Sequence, residues 1–141
     1  MPELGNGSAV LAVKNKAIRD KIMQKKYDIV PVPKPRMTQR DRWARRPAVL
    51  RYRAFCDEVR ACGVELYPCG MHITFILPMP KSWSNKKRAQ MDGQPHQQKP
   101  DWDNLAKALC DAVHEDDAHI WDMRCTKLWG AEGAIIIERT E

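Results

Sequence analysis

The spacing of apolar positions changes several times along the chain, and each change predicts an element. Residues 101–114 carry the clearest signal. At 100° per residue Leu105, Ala108, Leu109 and Ala112 fall on one stripe, which predicts an amphipathic helix facing a core. Asp101, after Pro100, is well suited to cap its start. Pro47 is placed to open a second helix running to about Cys62, with Gly63 as its stop. Residues 70–77 (GMHITFIL) alternate and are rich in β-branched and aromatic side chains, so a strand is expected, ended by Pro78 and Pro80. Residues 120–129 and 134–138 read as two further strands with Gly130 and Gly133 between them, an antiparallel hairpin pattern. Residues 8–26 read as a helix, with Val10, Val13, Ile18 and Ile22 set among Lys14, Lys16, Lys21, Lys25 and Lys26. Residues 28–33, restricted by Pro31 and Pro33, read as an edge strand or irregular extended piece. Gly93 and Pro95 mark a loop.

Strands and helices mix without a repeating βαβ unit. The expected fold class is therefore α/β, a small mixed β-sheet packed with helices in a single domain. Residues 1–27 read as an N-terminal helical extension and residues 28–141 as the domain proper. A chain of 141 residues supports one hydrophobic core, and its 43% apolar and 30% charged composition is that of a folded protein. No apolar run approaches the roughly 20 residues of a membrane helix, so no membrane partner is expected. The apolar run at residues 9–13 is too short for a signal-peptide core, which points to a cytoplasmic protein. Five cysteines without C-x-x-C spacing read as free, mostly buried thiols. Cys62, Cys69 and His72 fit no common zinc spacing.

Charge adds a direction to this picture. Residues 1–60 hold 15 Lys/Arg against 6 Asp/Glu, residues 61–100 hold 5 against 2, and residues 101–141 hold 4 against 10. A basic body with an acidic end suits a polyanion gripped by one part and metal ions held in the other. Within residues 34–53 the basic side chains include Lys34, Arg36, Arg40, Arg42, Arg45 and Arg46; a second cluster holds Lys81, Lys86, Lys87 and Arg88. These are the candidate phosphate contacts, with Trp43, Tyr52 and Trp83 as candidate base-stacking residues.

The acidic end carries the candidate chemistry. Asp103, Lys107 and His114 share the helix face opposite the apolar stripe, with Asp111 beside them and Glu115, Asp116 and Asp117 just beyond. Carboxylates at both ends of a short helix suit a hard divalent cation such as Mg²⁺, which keeps several waters. Lys107, one turn from Asp103, is placed to meet negative charge developing on a phosphate. A plainer arrangement explains the same residues: Asp101 as a helix cap, Asp103 and Lys107 as a surface ion pair, and 115–117 as a solvated turn.

The string K-P-D-W-D-N-L-A-K-A-L-C-D-A-V, then E-D-D-A-H-I and W-D-M-R-C-T-K, resembles the RusA family of Holliday-junction resolvases. The upstream P-V-P-K-P-R-M-T and L-P-M-P-K-S-W-S segments resemble its phage-type members, and the likeness spans about residues 29–138. The resemblance implies a small α/β homodimer that cuts two strands of a four-way junction symmetrically, for DNA recombination and repair, using Mg²⁺ or Mn²⁺. It carries the family's catalytic, metal-binding carboxylates onto Asp101, Asp103 and Asp117 and its essential lysine onto Lys107. Asp116 is the adjacent acid, an alternate ligand that spacing does not separate from Asp117. Two other functions fit the same charge pattern: a broader branched-DNA nuclease, and a basic DNA-binding protein without catalysis.

Overall fold

Pro47 opens helix α1 (Pro47–Ala61), where its missing N–H costs nothing, and Gly63 follows the helix at φ 65°, a left-handed turn suited to a residue without a Cβ. The computed structural model describes residues 22–36, 46–114 and 116–140. In chain order its elements are β1 (Ile22–Tyr27), α1, β2 (Met71–Pro78), α2 (Asn85–Met91), α3 (Trp102–Val113), β3 (Met123–Gly130) and β4 (Ala134–Thr140). The strands form one mixed sheet in the order β1-β4-β2-β3. The α/β class, the small mixed sheet and the helix and strand expected at 47–62 and 70–77 are all observed.

β2 is the central strand, parallel to β3 on one side and antiparallel to β4 on the other. Its alternation buries Met71, Ile73, Phe75 and Leu77. Ile73 and Phe75 register with Ile137 and Ile135 of β4, so these four share a sheet face. They join Val59 and Phe55 of α1 and Leu105 and Leu109 of α3 in one core cluster. Among the described residues no helix is long and apolar enough to cross a membrane.

Two expectations are corrected. The strands on either side of Gly130 and Gly133 do not form a hairpin, because β2 lies between them. Two strand spacings are about 10 Å, which the three linking residues can span, and the apolar side chains of both strands gain more against β2 than against each other. Gly133 is required in this link, since a Cβ there would sit 2.8 Å from the Val30 Cα. The second correction concerns residues 22–26, expected in a helix. They belong to β1, antiparallel to β4, and so supply an edge to the sheet instead of an extension. β4 would otherwise expose its backbone donors and acceptors, and that non-local need outweighs a local helical pattern. Residues 8–21 of the expected helix lie outside the described residues.

Helix α2 occupies a stretch to which the sequence pattern assigns no element. None of its residues is buried, so no apolar stripe announced it; Ser84 caps it by accepting the Lys87 backbone N–H at 3.2 Å. All five cysteines are free, but only Cys56 and Cys110 are buried, and Cys62 is exposed.

Candidate nuclease site

Helix α3 carries the candidate site on the face its core stripe leaves to solvent. Leu105, Ala108, Leu109 and Ala112 are buried as expected, while Asp103, Asn104 and Lys107 are exposed. Asp101 occupies the N-cap position, yet its side chain makes no capping hydrogen bond. Its exposed carboxylate is thus left to other work, and with Asp103 it lies at the positive end of the helix dipole. Among the described residues Asp103 and Lys107 form no ion pair with each other, contrary to the plainer arrangement.

Lys107 stands on a ridge between two depressions. One, of about 440 Å³, is lined by Lys34, Pro35, Arg36, Asn104 and Lys107. The other, of about 460 Å³, brings Lys107 together with Asp117, Cys110, Trp121 and Asp122. Asp101 borders a third hollow with Lys34, Lys99 and Asn104. Lys107 therefore stands between a hollow lined by Lys34 and Arg36 and one lined by Asp117 and Asp122, while Asp101 lies beside Lys34 and Lys99 and Asp103 lines none of the three.

Asp116 and Asp117 separate in the structure. The Asp116 carboxylate accepts the Ala118 backbone N–H at 2.9 Å, a turn-forming bond. Asp117 is half-buried on the wall of the Lys107 depression. Burial, and next the Asp117 charge, push the Cys110 thiol up to about 12, so Cys110 stays a neutral thiol and not an anionic ligand.

Lys34, expected on DNA, forms an ion pair with Asp111 and ties the segment before α1 to α3 across 77 sequence positions. Arg36 is exposed beside it, and the Arg46 guanidinium donates to the Arg36 carbonyl at 3.0 Å. Arg40, Arg42, Arg45 and Trp43 lie outside the described residues. Lys81, in the turn before α2, and Lys86 and Lys87, at its start, are exposed, Lys87 lying 4.4 Å from the Trp83 ring centroid, while Arg88 donates to the Pro80 carbonyl. Tyr52 is buried in the core, and Trp83 packs on Trp129 at 4.8 Å, so neither is presented for base stacking. His114 ends α3 and meets the His119 ring edge-on at 4.8 Å.

Lys127 of β3 ends the W-D-M-R-C-T-K string, which assigns it no role. Its ammonium donates to the carbonyls of Gln98 and Pro100, each at 2.8 Å, and so holds the loop that delivers Asp101. Beside it His96 is buried and stacks on Trp129 at 4.1 Å. Asn104, inside the D-N-L-A-K string, and Asp122, inside W-D-M-R-C, were visible in the motifs but were assigned no role there.

Among the described residues no three His, Cys, Asp or Glu side chains converge as a closed metal cage requires. The available donors are carboxylates accessible to water, which suits a hydrated hard cation touched by one or two of them. They do not suit a metal that demands a full protein shell.

No curated protein matches the sequence. The family model described as Endodeoxyribonuclease RusA matches residues 26–139, a span that begins within β1 and takes in every site residue discussed above. With the motif helix, its flanking acids and most of the sheet inside that match, the chain belongs to the RusA endodeoxyribonuclease family.

Proposed function

We propose that the protein resolves Holliday junctions by paired symmetric cuts, as a homodimer that depends on Mg²⁺ or Mn²⁺. The observation that carries this reading is the position of Lys107, between a basic hollow and a carboxylate-bearing one. A phosphodiester lying across that ridge meets cations on one side and acids on the other. Arg36 and Lys107 attract the phosphate, whereas the Lys34 charge is already balanced by Asp111. Lys107 then faces the negative charge that grows as the phosphorus gains a fifth oxygen.

One or two of Asp101, Asp103 and Asp117 would touch a hydrated ion, with Asp116, one of whose oxygens accepts the Ala118 N–H, as the alternate acid. The ion, when bound, neutralises the phosphate and orients the attacking water. The exposed Lys81, Lys86 and Lys87 add phosphate contacts that set affinity and carry little sequence information. A C2 dimer matches the near two-fold symmetry of a four-way junction and brings one site to each of two opposed strands.

The test is cleavage of a strand-labelled synthetic four-way junction with and without Mg²⁺. Paired symmetric nicks that need Mg²⁺ are expected. Equal cutting of flaps, forks and junctions would favour a broader branched-DNA nuclease, and binding without cutting would reduce the protein to a DNA-binding one. In the same assay Asp103→Asn should lose cleavage by orders of magnitude and keep binding, because the charge goes while size and helix position stay. Wild-type cleavage by that variant would remove Asp103 from the site.

A further inference from the structure

Trp121 is 75% exposed, an unusual position for the side chain with the most apolar surface to hide. Its surroundings are not loose. The Trp121 backbone N–H donates to the Pro68 carbonyl at 3.0 Å, and the next residue, Asp122, accepts the Gly70 N–H at 3.0 Å through its carboxylate. The indole therefore stands in solvent on a main chain tied at two successive residues to the 68–70 segment. It also lines the depression that holds Lys107 and Asp117. Trp102, 57% exposed, lies outside that depression, and Trp83 and Trp129 are packed on each other.

We propose that Trp121 is a base-stacking platform that holds one unpaired base of branched DNA beside the phosphate met by Lys107. The proposal rests on the nuclease reading above and adds the source of its preference for branch points. Within continuous duplex both faces of a base are covered by its neighbours, so an external indole finds no free π-face. At a branch point stacking is interrupted and one face is open. The pairing of an exposed aromatic surface with an adjacent cation suits a nucleotide, whose base is flat and whose phosphate is anionic. The anchored main chain leaves only the side-chain torsions of Trp121 to be ordered by this contact.

The experiment compares full-length wild type, Trp121→Phe and Trp121→Ala in EDTA, where cleavage is silent. Binding is measured to a four-way junction carrying 2-aminopurine at the branch point and to a linear duplex of equal length. Trp121→Ala should weaken junction binding roughly 5- to 150-fold, the range for loss of one stacked base, with duplex binding unchanged. Trp121→Phe should recover most of the loss. Wild type should quench the branch-point 2-aminopurine, and Trp121→Ala should not. Because the side chain is exposed, both variants should unfold at the wild-type urea concentration, and sedimentation should show the wild-type oligomeric state.

Equal junction binding by Trp121→Ala overturns the proposal, as does parallel loss on junction and duplex. A changed oligomeric state in Trp121→Ala overturns it in favour of contact with a second copy. If wild type binds and quenches the junction but fails to cut it in Mg²⁺, the nuclease reading falls while the stacking platform stands. If wild type cuts and Trp121→Ala matches it in every readout, the platform falls alone.

Discussion

Lys127→Met tests whether the sheet edge holds the loop that delivers Asp101. Methionine keeps most of the aliphatic stem and removes the ammonium, so packing is nearly conserved while two 2.8 Å hydrogen bonds are lost. A hydrogen bond involving a charged group contributes about 1.5–3 kcal/mol. The bond to Gln98 is exposed, and water replaces most of that donor; the bond to Pro100 is partly buried and is not so easily replaced. A net loss of about 2 kcal/mol follows. With a urea slope of about 2 kcal/mol/M, the unfolding midpoint should fall by about 1 M at unchanged slope. Pro100 immediately precedes Asp101, so junction cleavage should also drop under conditions where the variant remains fully folded. Equilibrium urea unfolding and single-turnover cleavage read the two effects. A wild-type midpoint together with a wild-type rate would refute the inference that Lys127 anchors this loop.

Three further outcomes follow from the site and its surroundings. Burial, and next the charge of Lys127, hold the His96 imidazole below its usual 6.5, so the unfolded chain takes up this proton first. Stability should therefore fall as pH drops through about 6.5 and level off below the folded-state value; His96→Phe should remove this component, and urea midpoints equally pH-sensitive in both proteins between about pH 8 and pH 5 would contradict it. Lys107→Ala should cut about 10²–10³ from the single-turnover rate even at saturating Mg²⁺, and full rescue by Mg²⁺ would reduce the lysine to a balancing charge. Lys86→Ala should lower the slope of log affinity against log salt by about one with turnover at saturating protein unchanged, and an unaltered slope would take α2 off the DNA.

Local pattern was decisive where an element's character depends on its own residues. The stripe of Leu105, Ala108, Leu109 and Ala112 is buried in α3, which leaves Asp103 and Lys107 outside. Pro47 and Gly63 bound α1 because each imposes or tolerates a particular backbone angle wherever it occurs. The D-x-D-N-L-x-K string and its trailing acids pointed to the family because they combine residue type with spacing, and the family model matches residues 26–139. Composition predicted the acid and basic regions, but it did not reveal which members meet. Asp116 and Asp117 are equivalent in spacing; a turn that captures one and leaves the other on the Lys107 wall separates them.

The sequence by itself determined the helix that bears the candidate site, the central strand, the α/β class and the family. Tertiary structure alone decided which strands pair, which charges neutralise one another and which aromatic side chains remain in solvent. Period records which side of an element is apolar, but a strand's partner is set by competition among all available edges. That competition placed β2 between β3 and β4, and drew residues 22–27 into the sheet. The Lys34–Asp111 pair, the hold of Lys127 on residues 98–100 and the exposure of Trp121 likewise depend on groups far apart in sequence, brought together only when the core closes.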